Sequence, residues 1–133
     1  MLLNYCIVDV GLLAAMGDID IRTILEGNRI FEEFKGALTE QYVLQQLAAN
    51  RELVVYYWSA ERATAEIDFL LQYSGKVIPL EVKAAENIQA KSLQVFVQKY
   101  KPDFALRTSM SDYRKEAWLI NLPLYAINEL TIL

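Results

Sequence analysis

The sequence contains no histidine and only one cysteine. Without histidine, neither a serine-type catalytic triad nor a zinc site with histidine ligands can form. The single cysteine, Cys6, cannot form an internal disulfide, and its apolar surroundings are more typical of a buried thiol than of a nucleophile. Reduced thiols are the rule in the cytoplasm, so the sequence predicts a cytoplasmic protein.

The two common glycine-rich nucleotide-binding motifs are also missing. The sequence has neither the Gly-x-x-x-x-Gly-Lys-Ser/Thr phosphate loop nor Gly-x-Gly-x-x-Gly. We therefore expect no ATP binding of the usual kind, and any metal should be a hard cation held by oxygen, with Mg²⁺ or Mn²⁺ as the default. The apolar residues 1–16 are interrupted by Asp9 and are too few to span a bilayer, so no membrane partner is expected.

Charge is unevenly spread along the 133 residues, although the net charge is only -4. Acids outnumber bases by eleven to five in residues 1–75, whereas bases outnumber acids by eight to four in residues 76–115. The basic section permits an anionic ligand, and ordinary surface lysines explain it equally well. The hydrophobic content of 54% allows a substantial core, and the length predicts one compact domain.

Hydrophobic patterns predict a mixed α/β structure that begins with helix and continues with a β-hairpin. After the N-terminal residues, a helix is expected over 29–50, with a break near Gly36. The β-branched and aromatic run 53–58 predicts a strand. Two apolar runs, 67–71 and 77–82, flank the turn-like segment 72–76 and predict the hairpin.

The rest of the chain completes this pattern. Pro79 within the second hairpin strand argues for an edge position or a bulge, since proline cannot donate to the ladder. Further elements are expected as a helix over 88–100, strands over 104–107 and 117–121, and a strand or helix over 122–133 that covers the core. Near the start we expect an extended segment over 4–8 and short helices over 11–16 and 19–25.

The hairpin carries several charged residues beside apolar ones. Side chains alternate faces along a strand, so Glu66 and Asp68 share one side of the first strand, and Glu81 and Lys83 share one side of the second. The hairpin could bring Asp68, Glu81 and Lys83 together at one end of the sheet. Such a cluster is costly beside apolar strands unless it coordinates something. Glu66 fits equally well as a spare ligand or as a surface acid.

A further carboxylate, Glu40, falls on the apolar stripe of the first predicted helix. It lies three residues after Ala37 and four before Leu44, and Leu47 continues the same stripe. The carboxylate therefore either reaches water at the edge of the stripe or belongs to a polar site against which the helix packs. Both alternatives stay open at this point.

The order of elements and these residues resemble the restriction-endonuclease-like PD-(D/E)XK nuclease superfamily. The chain is more closely similar to an uncharacterised family, the C-terminal domain that follows the ATP-binding module in many prokaryotic AAA-type ATPases. The motifs that carry the resemblance are Asp9-Val10-Gly11-Leu12, Gly36 to Val43, Tyr57-Trp58, Glu66-Ile67-Asp68-Phe69 and Pro79-Leu80-Glu81-Val82-Lys83. They extend over nearly the whole chain.

The resemblance implies a role for each candidate site residue. Asp68, Glu81 and the Val82 backbone carbonyl would bind Mg²⁺ or Mn²⁺. Lys83 would steady the attacking water or help to deprotonate it, and Glu40 would bind a second ion or a water on the first. Ile67 stands where the superfamily motif has proline, a replacement that is widely tolerated.

The resemblance also implies an organisation and partners. Residues 1–28 would continue from an upstream ATPase module that is absent from this chain, and residues 29–133 would form the nuclease-like domain. The expected function is Mg²⁺-dependent DNA hydrolysis, although a net-negative domain should bind DNA weakly on its own. Two alternatives remain: a catalytically inactive interaction or regulatory module of the ATPase, and an unrelated α/β domain. Whether the chain forms a homodimer is left open.

Overall fold

The computed structural model describes residues 11, 12 and 15 and the ranges 32–60, 65–84 and 90–132. The helices are α1 (Glu32–Ala49), α2 (Lys91–Tyr100) and a C-terminal 3-10 helix (Leu124–Ile132). The strands are β1 (Val54–Ser59), β2 (Glu66–Tyr73), β3 (Lys76–Lys83), β4 (Ala105–Ser109), β5 (Arg114–Lys115) and β6 (Leu119–Pro123).

All six strands belong to one mixed sheet, in the order β1-β2-β3-β4-β6-β5. Strands β1, β2 and β3 are antiparallel neighbours, whereas β3, β4 and β6 run parallel to one another. Short β5 is antiparallel to β6 and was not predicted. The predicted mixed α/β class, a central sheet with flanking helices, is confirmed.

Helix α1 buries a narrow stripe against the sheet. Val43 and Leu47 lie one turn apart, where helical side chains share a face, and both are fully buried. Of the predicted stripe, Leu47 is confirmed as buried, while Ala37 and Leu44 are only partly covered. The predicted break near Gly36 is wrong, since the helix runs through it. A glycine inside a helix costs only about 1 kcal/mol relative to alanine, which the flanking turns absorb.

Strands β2 and β3 form the predicted hairpin with a tighter turn than expected. Gln72 pairs with Val77 and Tyr73 with Lys76, so most of the predicted loop belongs to the strands. The turn consists of Ser74 and Gly75, with φ angles of 48° and 77°. Positive φ at both central residues defines a type I′ turn, whose twist matches the twist of the flanking strands.

Pro79 contradicts its predicted edge position, because β3 lies inside the sheet and pairs regularly with β2 around Pro79. The Val82 amide faces β2. Alternation along the strand therefore turns the Pro79 nitrogen toward β4. Pairing between β3 and β4 begins only at Leu80. The N–H group that Pro79 lacks would thus lie just outside the β3–β4 ladder, so β3 accommodates the proline without being an edge strand and without a bulge.

The C-terminal half follows the predicted order with shifted boundaries. Helix α2 ends at Tyr100, and Lys101 caps it. Lys101 has a φ of 48°, and its amide donates a hydrogen bond to the Val97 carbonyl at 2.9 Å, which closes the last turn before Pro102. Strands β4 and β6 each extend further along the chain than predicted. The predicted covering element is a 3-10 helix, in which Ile127 and Leu130 are buried.

Two apolar layers cover the two faces of the sheet. On one face, α1 and the 3-10 helix pack against Phe69, Leu71, Leu80 and Val82 together with residues of β4 and β6. On the other face, α2 packs Leu93 and Phe96 against Ile67, Ala105 and Leu119. We call these the α1 face and the α2 face.

The predicted N-terminal segment 1–28 lies largely outside the described residues. Gly11, Leu12 and Ala15 are described and are helical, in agreement with the prediction for 11–16. The predicted extended segment 4–8, the helix 19–25 and the domain boundary at 28 fall outside the described part. No helix within the described part has the length and apolar character needed to cross a membrane.

Candidate functional site

Strands β2 and β3 stop pairing at the predicted carboxylates. The last backbone pair of the hairpin joins Phe69 to Leu80. A continued ladder would pair Asp68 with Glu81, but β2 from here pairs only with β1, and β3 only with β4. The sheet therefore opens between β2 and β3. Groups from both faces can meet in this opening.

A bulge in β2 directs Asp68 into the opening. In the pairing of β1 with β2, Tyr56 is opposite Leu70 and Trp58 is opposite Ile67. The single residue Tyr57 of β1 is therefore opposite two residues of β2, Asp68 and Phe69. An extra residue of this kind changes the face of the sheet to which the neighbouring side chains point. The packing shows this change: Phe69 lies on the α1 face, and regular alternation would put Ile67 on the same face, but Ile67 lies on the α2 face. The bulge therefore brings Asp68 to the side of the sheet on which α1 packs.

The carboxylate of Asp68 replaces the missing strand pairing. Its Oδ2 atom accepts a hydrogen bond from the Val82 backbone amide at 2.6 Å. Burial raises the pKa of Asp68 from 3.8 to about 6, and the negative charges of Glu81 and Glu66 add to the rise. The Val82 bond and the Lys83 ammonium oppose it. Asp68 is thus held in place and is easily stabilised further by a cation.

Glu81 lies on the α2 face, buried beside Lys83. The Lys83 Nζ atom is 2.7 Å from Glu81 Oε1, and the two side chains are 30% and 7% exposed. They are two residues apart on a strand, which puts both on one face. The other carboxylate oxygen, Oε2, is buried without a hydrogen-bond partner. A buried acceptor of this kind is costly unless a ligand supplies the missing interaction.

Glu40 lies at the end of the buried stripe of α1, one turn before Val43. The pKa of Glu40 is raised to about 7, mainly by loss of hydration and in part by the negative charges of Asp68 and Glu66, while the charge of Lys83 opposes the rise. Much of the side chain still contacts solvent, so this shift contributes little to stability. Glu40 therefore lies at the edge of the stripe and also within electrostatic reach of Asp68.

The candidate oxygen ligands near the opening meet some of the requirements of a Mg²⁺ or Mn²⁺ site and not others. Within the described ranges, no group of three or more acidic side chains is arranged to hold a metal ion, so Glu40 does not complete a three-carboxylate cluster. Mg²⁺ nevertheless keeps several waters and needs only one or two carboxylates, which Asp68 and Glu81 would supply. The Val82 carbonyl leaves its strand on the same side as its amide, toward Asp68. The metal roles of these residues stay predictions.

A buried polar row beside Glu81 was not predicted. On the α2 face, Arg107 of β4 is the register partner of Glu81, and Asn121 of β6 is the partner of Arg107. Arg107 and Asn121 are 4% and 1% exposed. Burial lowers the pKa of Arg107, while the charges of Glu116 and Glu81 raise it. A polar residue at every second position of an apolar strand was the available signal, in Arg107 and Ser109 of β4.

Residues 35–126 match the family model described as "Domain of unknown function (DUF4143)". Comparison with curated proteins gives no match. The matched range extends from α1 into the 3-10 helix and contains Glu40, Asp68, Glu81, Val82 and Lys83. Since the match covers more than half of the chain, this protein belongs to the DUF4143 family.

Proposed function

We propose that this domain hydrolyses DNA phosphodiester bonds with Mg²⁺ or Mn²⁺ bound at the opening between β2 and β3. The observation that carries the proposal is the buried Glu81 Oε2 atom, which has no hydrogen-bond partner. Glu81 directly follows Leu80, the last residue of β3 that pairs with β2. The resemblance to the PD-(D/E)XK superfamily and to the C-terminal domain of AAA-type ATPases supplies the proposed reaction. An upstream ATPase module is the proposed regulator.

Asp68, Glu81 and the Val82 carbonyl would hold the ion. When bound, Mg²⁺ makes water nucleophilic at neutral pH and neutralises charge on the phosphoryl group. The protein fixes two of these ligands in advance, since Asp68 is anchored by the Val82 amide and Glu81 is enclosed by β-sheet neighbours. Preorganised ligands lose little entropy on binding.

Lys83 would act directly on the reacting groups. Its ammonium lies 2.7 Å from Glu81 Oε1, and the Lys83 side chain is 30% exposed, so the ammonium can turn outward once a cation satisfies Glu81. From the edge of the opening the Nζ atom would donate a hydrogen bond to the attacking water or to a phosphate oxygen. A fixed donor at developing negative charge lowers the transition-state energy.

Glu40 would orient the attacking water from the α1 side. Its pKa of about 7 keeps a mixture of charged and neutral carboxyl groups near neutral pH, and the charged form accepts a hydrogen bond from water. The approach of a cation and of Lys83 would favour the charged form.

Two observations favour the second candidate, an inactive nuclease-fold module. The Lys83–Glu81 ion pair satisfies Glu81 Oε1 without any metal, and the net charge of -4 disfavours DNA. In that case the ion pair is permanent and the domain serves interaction with the ATPase module.

Cleavage of supercoiled and branched DNA in Mn²⁺ separates the two candidates. We expect the wild-type protein to cut, and Lys83→Ala to cut about a hundredfold more slowly, as for loss of one fixed electrostatic donor. Glu52→Gln, an exposed acid outside the opening, is the matched control and should cut at the wild-type rate. Wild-type protein that leaves both DNAs intact, or Lys83→Ala that cuts at the full rate, would overturn the catalytic proposal.

A further inference from the structure

We propose that a pocket between α2, the hairpin turn and residues 101–104 binds an unpaired base of the DNA strand. Aromatic side chains would pack against the plane of the base, and the Lys76–Asp103 ion pair at the mouth of the pocket would contact its polar edge. The proposal rests on the proposed function for its substrate class. We call this site the aromatic pocket.

The aromatic pocket has the size and lining of a site for a small planar ligand. Its volume is about 510 Å³. Ligand sites in proteins measure about 300–1,000 Å³ and are lined mainly by apolar and aromatic side chains with a few polar groups. Four aromatic side chains line this pocket, namely Trp58 of β1, Phe96 and Tyr100 of α2, and Phe104 before β4.

Three of these rings form walls at right angles to one another. The ring centres of Trp58 and Phe96 are 5.0 Å apart, those of Trp58 and Tyr100 are 5.9 Å apart, and the rings of each pair are inclined by 88°. A base that lies parallel to one wall therefore meets the other edge-on, and both arrangements are favourable between aromatic rings. Stacking on aromatic side chains is how proteins bind unpaired bases without reading the sequence.

The mouth of the aromatic pocket offers one donor and one acceptor. Lys76 Nζ lies 3.1 Å from Asp103 Oδ2, and the two side chains are 56% and 68% exposed. An ion pair this exposed is weak, so its groups can turn toward a ligand. The ammonium donates and the carboxylate accepts hydrogen bonds, and the polar edges of nucleobases carry both kinds of group. A plain hydrocarbon ligand would use neither, so the mouth favours a base.

The charge around the mouth is compatible with the backbone attached to a base. Lys101 also lines the pocket and is exposed, so two ammonium groups stand against the one carboxylate among the described lining residues. Lys99 Nζ lies 5.1 Å from the centre of the Tyr100 ring and adds a third positive charge nearby. A nucleic-acid strand therefore meets a local positive excess here, although the net charge of the chain is -4.

The aromatic pocket and the proposed metal site lie on the same face of the sheet. Trp58, Leu70 and Phe96 pack on the α2 face, which also carries Glu81. Lys76 is the first residue of β3, and Glu81 follows it by five residues, about 17 Å at the rise of a strand. This distance corresponds to about five base steps of B-form DNA. A base held in the pocket would thus set the position of the strand relative to the cut.

Quenching of Trp58 fluorescence by a single-stranded oligothymidylate, without divalent ions, tests the aromatic pocket. The chain has two tryptophans, so Trp118→Phe serves as the background in which only Trp58 emits. We expect the oligonucleotide to quench Trp58. An abasic strand of the same length has the same backbone charge without the bases, and we expect it to leave the emission unchanged.

Tyr100→Ala in the same background should weaken binding of the oligonucleotide about tenfold, as for the loss of one base–aromatic contact. Tyr113→Ala is the matched control, because Tyr113 is similarly exposed (54%, against 49% for Tyr100) and lies outside the pocket. It should bind as the background does. Circular dichroism first confirms that each variant folds.

Equal quenching by the abasic strand, or unchanged binding in folded Tyr100→Ala, would overturn the base pocket. Thymidine monophosphate that quenches Trp58 in a Tyr100-dependent manner, while the oligonucleotide does not, would also overturn it by assigning the pocket to a free nucleotide. Failure of the proposed function is distinguishable, because it removes DNA cleavage in Mn²⁺ and leaves the Tyr100-dependent quenching in place.

Discussion

At the scale of single residues, Asp68 couples the stability of the fold to pH. Its pKa is raised from 3.8 to about 6, mainly by burial. Between these two values the folded protein binds more protons than the unfolded chain does, so the free energy of unfolding falls as pH rises. The contribution is fully present below the unfolded value and is lost above the folded one.

We therefore predict that raising the pH from about 4 to about 7 removes up to about 3 kcal/mol of stability through this group. Asp68→Asn should flatten the pH dependence, since its amide oxygen can still accept the Val82 bond without a charge. Urea unfolding at several pH values measures the effect, with the exposed Asp103→Asn as control. Parallel curves for wild type and Asp68→Asn would contradict the assignment.

The Glu81–Lys83 pair supports a second prediction at this scale. Lys83→Ala removes the ammonium from a carboxylate that is only 7% exposed, and the remaining charge loses its partner. We expect a loss of about 1 to 3 kcal/mol, below the value for a fully buried pair because Lys83 reaches solvent. Adding Glu81→Gln should restore part of it. Urea unfolding of both single variants and the double variant, without divalent metal, gives the coupling energy, and a value of zero would exclude the pair.

At the scale of elements, the hairpin turn positions the two strands that carry the site. Ser74 holds a φ of 48°, which asparagine adopts more readily, and Gly75 holds a φ of 77°. We predict that Ser74→Asn stabilises the protein by about 0.5 kcal/mol and that Gly75→Ala destabilises it by about 1 kcal/mol. Thermal unfolding checks both signs, and equal effects of the two substitutions would contradict a type I′ turn.

Local sequence patterns predict most of these elements. They fail where the structure depends on pairing between strands that are distant in the sequence. The helical character of α1, the β2–β3 hairpin and its Ser-Gly turn are local and were predictable, although Leu47 is the one residue of the predicted stripe that is fully buried. Pro79 was predicted at an edge because proline breaks a ladder, yet pairing to β4 begins one residue later, which no local pattern records. The bulge at Asp68 depends on the pairing of β1 with β2 and left no sequence signal.

At the scale of the whole molecule, the sequence predicts part of the candidate site. Alternation along one strand predicted the Glu81–Lys83 proximity, which the ion pair confirms. The convergence of Asp68 with this pair into one ion site stays a prediction. The opening of the sheet is a property of three strand pairings together and could not be read from one of them. The same holds for Arg107 and Asn121, which become neighbours only because β4 and β6 are adjacent and parallel.

Binding of Mn²⁺, followed by electron paramagnetic resonance at neutral pH, shows whether the opening between β2 and β3 holds a metal ion. We predict one bound ion per chain in the wild-type protein, and its loss in both Asp68→Asn and Glu81→Gln. Glu52→Gln should bind as the wild type does. Wild-type protein without a bound ion, or undiminished binding in the two site variants, would contradict the claim that the opening between β2 and β3 is a metal site.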